Sequence, residues 1–405
     1  MTQLFRMAFR DLLRNRRRSF LSSLALAIGV ALLMLMFAFV NGEMTGAMNS
    51  TIRLQSGHLQ IRAETYDENK SSLKWSDLVE NPDQIVQKIS SLPPVIAATP
   101  RLFVSGIIAS KDITAGVRVI GIDPTSKANE PYRLGLLEGQ FLTLDDRDGI
   151  LIGQPLAKKL DLKTGDSINV SVNTSNGDVS EQSFIVRGIY STQTYGFDRV
   201  SVFMALPKAQ TISGTENHAS IIFILLNDNA QTDSVKNAIQ APGYKIVTWT
   251  EMNDLIIQTE NFANSYINMF AFIILAITAT VITNTLIMAV FERTREIGIL
   301  SAIGMKASRI MGMFLMESSL LTIGGLVMGI IMGLLMVAWF NGHGFYIGNM
   351  GISGMLIQDT IYPNLTLTDT IRVSVISFVI SLLAGMYPAV IAARMEPVEA
   401  LHGGK

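Results

Sequence analysis

Apolar positions run almost without interruption through four stretches, residues 20–40, 265–290, 310–340 and 373–393. Crossing a bilayer as a helix takes about 20 predominantly apolar residues, so each stretch predicts a transmembrane helix. Between the first and the second, over residues 41–258, the pattern breaks into short segments. Ile52-Arg53-Leu54-Gln55 and His58-Leu59-Gln60-Ile61 alternate apolar with polar positions and predict half-buried strands. Asn81-Pro82 predicts a helix start, an N-cap oxygen followed by Pro at the first helical position, with Ile85, Val86 and Ile89 continuing it. Strands follow at 97–109 and 117–122. Residues 221–226, a polar helix at 233–240 and residues 244–249 repeat the order strand, helix, strand, so 52–135 together with 207–250 predict a split βαβ unit. Residues 136–206, with strands at 149–152, 167–172, 183–189 and 200–204, predict a β-rich insertion forming a second small subdomain. The fold class is an integral membrane α-helical protein of four transmembrane helices, with a large extracytoplasmic α+β domain between helices 1 and 2.

Composition agrees with lipid as part of the solvent. Of 405 residues, 49% are hydrophobic and 16% charged, against about 25% charged in soluble domains, which disfavours a wholly soluble enzyme. A formal net charge of −1 gives no bulk attraction to nucleic acid. With no Cys, disulfides, thiol catalysis and Cys-based zinc sites are excluded. The first apolar stretch exceeds the 7–15 residues or so of a signal-peptide core and does not end on an A-x-A site where it runs into Val40-Asn41-Gly42, so it is expected to stay in the chain.

Basic residues in short loops set the orientation. Arg6, Arg10, Arg14, Arg16, Arg17 and Arg18 precede the first span, Arg293, Arg295, Lys306 and Arg309 separate the second from the third, and Arg394 follows the fourth. All lie on one side, which is then cytoplasmic; residues 341–370 carry no Lys or Arg, and Arg372 is the one dissenting charge. The chain therefore reads as a basic amphipathic cytoplasmic helix (1–19), span 1 (20–40), the exported domain (41–258), span 2 (265–290), a cytoplasmic connection (291–309), span 3 (310–340), an extracytoplasmic loop (341–372), span 4 (373–393) and a cytoplasmic tail (394–405). The expected location is the plasma (cell inner) membrane, with both termini cytoplasmic.

Candidate catalysis is thin. His58, His218, His343 and His402 fall in no H-E-x-x-H spacing, and no G-x-S-x-G elbow occurs. Asp145, Asp146 and Asp148 lack the later Glu and the Gly of a calcium loop and read as a solvated turn. Lys163-Thr164-Gly165-Asp166-Ser167 reads as a tight turn. No catalytic, cofactor or metal residue is expected, and without a G-x-x-x-x-G-K-[ST] loop any ATP is bound by a partner. Within the spans, Gly325, Gly329 and Gly333, and likewise Ser23, Ala27 and Ala31, recur at four-residue spacing and predict close helix packing, more within the chain than between subunits. Glu317, about two turns into the third span, is expected either to pair with a basic or polar partner or to sit protonated near the cytoplasmic boundary. In the connection, Glu292 and Glu296 share a helix face, Ile297, Leu300 and Ile303 form an apolar stripe, and Arg295 can pair with Glu292.

The run Glu292-Arg293-Thr294-Arg295-Glu296-Ile297-Gly298-Ile299-Leu300-Ser301-Ala302-Ile303-Gly304 closely resembles the E-R-x-R-E-I-G-x-L-x-A-x-G motif of the FtsX-like permeases, the MacB and LolC/LolE type of ABC transporter membrane subunit. The opening Phe9-Arg10-Asp11-Leu12-Leu13-Arg14 and the exit over residues 388–401, similar to P-A-x-x-A-A-R-x-x-P-V-E-A-L, match the same family. So do Gly139-Gln140-Phe141, Leu156-Ala157-Lys158-Lys159-Leu160, Gly165-Asp166 and Val186-Arg187-Gly188-Ile189 of a MacB-like periplasmic core domain. Ser56-Gly57-His58-Leu59-Gln60-Ile61 looks most like the LolC/LolE branch. The resemblance covers essentially the whole chain.

That resemblance implies an ABC transporter permease without an ATPase site of its own, driven by a separate ABC ATPase dimer. It implies a second permease copy or homologue, surrounding membrane lipids, a lipoprotein or other amphiphilic substrate, and no nucleic acid. Mechanotransmission would pass through a coupling helix at 292–304, with Glu292, Arg295 and Glu296 touching the ATPase and Ile297, Gly298, Leu300 and Gly304 completing the motif. The rival reading is a signalling permease, as FtsX is in cell division, acting on an exterior hydrolase; an exported segment large enough for two subdomains favours transport.

Overall fold

The computed structural model describes residues 2–68, 70, 73–110, 113–348 and 356–396. Residues 397–401 of the exit motif, His402 and residues 349–355 of the loop before span 4 lie outside the described residues. In chain order the main elements are helices α1 (Thr2–Arg14) and α2 (Arg16–Ser50), strand β1 (Leu59–Arg62), α3 (Pro82–Ser90), β2 (Val95–Ser110), β3 (Ile113–Ile122), β4 (Leu136–Gly139), β5 (Gly149–Gly153), α4 (Gln154–Leu160), β6 (Ser167–Asn173), β7 (Val179–Tyr190), β8 (Ser201–Ala205), α5 (Leu206–Ser213), β9 (Ile221–Leu226), α6 (Thr232–Ala238) and β10 (Lys245–Thr248). Helices α7 (Asp254–Glu292), α8 (Thr294–Ala302), α9 (Ala307–His343) and α10 (Leu367–Ala393) follow. Two compact units result, one from Met1–Met44, Glu260–Phe345 and Ile361–Lys405, the other from Thr45–Thr259 and Tyr346–Thr360.

In the helical unit, four helices are long and apolar enough to cross a membrane: Arg16–Ser56, Asp254–Glu292, Ala307–His343 and Leu367–Ala393. The first has 41 residues, roughly 60 Å at 1.5 Å per residue, about twice a hydrocarbon core. Hydropathy thus marks the part of each helix fit for lipid, while the hydrogen-bonded helix runs on into polar sequence. Leu26, Val30, Leu33 and Phe37 of α2 pack with Ile267, Leu275, Ile282 and Leu286 of α7, Leu321 of α9 and Val373 of α10. The two small-residue stripes meet in part. A Cβ on Gly329 would lie 2.8 Å from the Ala27 carbonyl oxygen, one on Gly325 2.8 Å from that of Ser23, and one on Gly333 2.9 Å from Met34 Sδ. The Ser23 hydroxyl donates to the Leu321 carbonyl at 3.0 Å, and Ala27 and Ala31 are buried.

The second unit is built on one ten-stranded sheet. Its first part has the order β10-β1-β9-β2, every pair antiparallel, with α3 and α6 as crossovers in a split arrangement. All six residues of β9 are buried. Ile222, Ile224 and Leu226 join a core with Ile89 and Val235, and Ile221, Phe223 and Leu225 join another with Ile52, which is why the strand reads as an unbroken apolar run rather than an alternation.

The insertion at 136–206 is not a separate subdomain. β2 is 16 residues long; its first half pairs with β9, and its second half pairs with β3 and β6. Pairing continues from β3 to β8, β5, β7 and β6 and so back to β2, a closed ring of six strands. Four of the six come from the insertion and two from the flanking sequence, so the ring closes only when both are present; closure leaves no exposed edges. The ring is filled by side chains such as Val104, Val119, Ile152, Val170, Phe184 and Met204.

Two further expectations differ. Ile52 to Gln55 is not a strand but part of a π-helical turn, Thr51–Ser56, that prolongs α2; four alternating residues fit a helix end as well as a strand. The Leu54 carbonyl in that turn accepts from Arg101 Nη1 at 2.8 Å and from the Tyr132 hydroxyl at 2.7 Å. Arg101 is wholly buried, with its guanidinium 3.6 Å from the Phe223 ring centroid and bonded to Asn129 Oδ1 at 3.1 Å. Helix α3 does begin at Pro82, but Asn81 adopts φ 48 and its side chain does not cap the helix. Its side-chain oxygen accepts from Asn217 instead. The aspartate turn is structural: Asp146 accepts from the Gly149 N–H at 2.8 Å and pairs with Arg187 at 3.2 Å. In the Lys163 turn the Asp166 carboxylate accepts from the Lys163 N–H at 2.8 Å, and Gly165 takes φ +93.

Candidate functional site

The site is the short connection between α7 and α9. Helix α7 stops at Glu292, because Arg293 leaves helical geometry (φ −115, ψ 15), and α8 restarts at Thr294. Gly304 ends α8 at φ +94 in open space, so glycine serves there for its backbone freedom and not for room. The Met305 N–H reaches the Leu300 carbonyl at 3.0 Å and the Gly304 N–H reaches that of Ser301 at 3.0 Å, a left-handed C-cap that satisfies the last carbonyls. Lys306 is extended and leads into α9.

Arg293 is the hub. It is 6% exposed, with Asp11 at 6% and Glu317 at 4%. Nη2 lies 2.7 Å from Asp11 Oδ2, Nε 3.0 Å from Glu296 Oε2, and Nη1 3.6 Å from Glu317 Oε2. One guanidinium thus ties α1, α8 and α9 together, and Glu317 has the basic partner expected of an ionisable residue in a span. Burial alone would lower the Arg293 pKa, but its bond to Glu296 and the charges of Asp11 and Glu317 outweigh it and raise the pKa above the ordinary value. Burial pushes Glu296 up, while the bonds from Arg293 and Arg14 take it below the usual carboxylate range. Beneath the hub, Val290, Ile297, Ile310, Met313, Phe314, Ala389 and Ala392 form an apolar cluster.

The motif residues divide by face. Ile297 and Gly298 are buried, Leu300 half-buried. Glu292 is bound to Arg18 at 2.5 Å, not to Arg295 as its spacing allows, and Glu296 is bound to Arg14 at 3.1 Å as well as to Arg293. Arg295, Ile299, Ala302 and Ile303 are exposed, at helical positions i, i+4, i+7 and i+8, which is one face. Ile303 is 78% exposed. This face is a small apolar pad with one cation, suited to docking a protein surface. The stripe of Ile297, Leu300 and Ile303 is therefore split, with Ile297 facing in and Ile303 facing out. Residue spacing within the motif left Asp11, Arg14 and Arg18 without a role. The available signal was that Asp11 is the one acidic residue in positions 1–42.

A family model described as the MacB-like periplasmic core domain matches residues 19–241, and one described as the FtsX-like permease C-terminal matches residues 268–397. The chain is 22% identical to the lipoprotein-releasing system transmembrane protein LolC of Neisseria meningitidis, over 96% of this chain and 95% of that one. It is 23% identical to an uncharacterized ABC transporter permease of Methanocaldococcus jannaschii, over 69% of each. It is 24% identical to the macrolide export ATP-binding/permease protein MacB of Acinetobacter baylyi over 99% of this chain, but spans 59% of that longer protein.

Proposed function

The chain belongs to the family of FtsX-like permeases with a MacB-like periplasmic core domain, and on that premise we propose that it couples ATP hydrolysis on a separate ATPase to movement of its exported domain, in lipoprotein release or export of another amphiphile. Relatives over nearly the whole chain are lipoprotein-releasing system transmembrane proteins, a relative over 69% of it is an ABC transporter permease, and the chain has no G-x-x-x-x-G-K-[ST] loop with which to hold nucleotide phosphates. The ATPase works from the cytoplasmic side, on which α1, α8 and the C-terminal tail lie.

The observation that carries this reading is the pairing of an outward face on α8 with an inward anchor. Arg295, Ile299 and Ile303 face out, while Arg293 fastens the same segment to α1 and α9. A loop with freedom of its own would absorb a push. This one is pinned by buried charge and a packed apolar cluster, so displacement of α8 by a closing ATPase passes into α1, α7, α9 and α10. Glu292 and Glu296 sit beside the pad as ion pairs with Arg18 and Arg14 and give its rim a polar edge.

The test is co-purification. Ile303→Asp places a charge on a pad that carries none of the fold, so insertion and thermal stability should match the parent while ATPase association falls. Losing an interface anchor costs about 2 kcal/mol or more, roughly a thirtyfold weakening. Glu296→Lys should lose association and stability together, because it also breaks the Arg293 bond. Parental ATPase binding and transport by Ile303→Asp would defeat the coupling assignment.

A further inference from the structure

Where α1 turns into α2, Arg14, Asn15, Arg16, Arg17, Arg18 and Glu292 line an open cleft of about 650 Å³. Its charges do not balance. Arg18 pairs with Glu292 and Arg14 with Glu296, whereas Arg16 and Arg17 are exposed and pair with no carboxylate among the described residues. Arg18 Nε is buried without a hydrogen-bond partner. The cleft thus holds more cationic donors than the protein supplies acceptors.

Its position along the chain points to what supplies them. The apolar stretch begins at Phe20, so all four arginines stand within two turns of the hydrocarbon edge, at the depth of lipid phosphates. On α1, Phe5, Phe9 and Leu13 are exposed at four-residue spacing, next to the exposed Arg6, Arg10 and Arg14. That is the pattern of a helix lying in the membrane interface.

We propose that this cleft binds the headgroup phosphate of an anionic phospholipid, with Arg16, Arg17 and Arg18 donating to its oxygens. A guanidinium offers paired N–H groups that match phosphate oxygens, which makes arginine better suited than lysine to such a site. A phosphate in the cleft competes with Glu292 and Glu296 for Arg18 and Arg14, so lipid composition adjusts the coupling loop. That consequence rests on the coupling reading; the binding itself requires only that the helices are membrane-embedded.

Native mass spectrometry of the delipidated full-length permease without ATPase, titrated with phosphatidylglycerol, phosphatidylcholine or inorganic phosphate, tests the binding separately from coupling. The parent should prefer phosphatidylglycerol. Arg16→Gln with Arg17→Gln should weaken that lipid about thirtyfold and leave phosphatidylcholine unchanged, from about fivefold (about 1 kcal/mol) per basic residue near a membrane surface. Arg6→Gln with Arg10→Gln removes equal charge from α1 away from the cleft and should weaken it less than fivefold. A thermal midpoint equal to the parent's verifies folding; if the double variant does not fold, Arg17→Gln alone is read against the fivefold expectation. Equal losses in the two double variants, or no preference over phosphatidylcholine, would overturn the site. Displacement of phosphatidylglycerol by inorganic phosphate at equal concentration would overturn the assignment to lipid.

Discussion

Arg293 shows how one side chain takes its meaning from residues far along the chain. Its partners Asp11 and Glu317 lie hundreds and tens of positions away, and both are buried with it. Removing the cation leaves two buried carboxylates without it, and breaking a buried pair in this way typically costs about 3 to 5 kcal/mol. Arg293→Ala should therefore lower the thermal midpoint of the purified full-length permease clearly, and Asp11→Asn with Glu317→Gln in the same chain should restore much of the loss. A midpoint unchanged in Arg293→Ala would mean that the hub contributes nothing to stability. Glu317 was legible in the sequence as a charge inside an apolar stretch. Asp11 was not, because six arginines stand within seven positions of it and nothing in their spacing points to Arg293. Arg101 gave no sign at all, being one polar position in a strand whose buried side only the fold defines.

Among the elements, the spans were readable because lipid demands a length of apolar sequence and a closed set of backbone hydrogen bonds. Their packing was partly readable. The glycines at 325, 329 and 333 announced a close approach, and the fold supplies the neighbour, α2 at Ser23, Ala27 and Met34. Gly329→Leu should force α9 away from α2, since the first carbon added already falls 2.8 Å from the Ala27 carbonyl oxygen. Overpacking of this kind costs about 1 to 3 kcal/mol, to be read as a lower thermal midpoint in detergent, with Gly342→Leu, where nothing lies within 4 Å, as the neutral comparison. A parental midpoint for Gly329→Leu would refute the contact. The strands were found more easily than their partners. Those at 149–152, 167–172, 183–189 and 200–204 were evident as strands, yet their closure into a ring with β2 and β3 depends on pairing across distant sequence.

For the whole molecule, the absence of Cys makes orientation directly measurable. A Cys at Asn176, exposed in the turn between β6 and β7, should react with an impermeant thiol reagent in whole cells whose outer barrier, if any, has been permeabilised. A Cys at Ser308, exposed at the start of α9, should react only after the membrane is opened. The reverse pattern would invert the topology and with it the side proposed for the ATPase.

By itself the sequence determined four helices long and apolar enough to cross a membrane, the α+β domain between the first two, and membership of the permease family. Each of these is written in local composition, in periodicity or in a contiguous motif. Only the tertiary structure decided which carboxylates Arg293 holds, which face of α8 is left outward, and that residues 136–206 complete a ring rather than stand apart. The physical reason is that ion pairs, buried faces and strand partners are set by which elements meet, and residue spacing along one element limits those meetings without choosing among them.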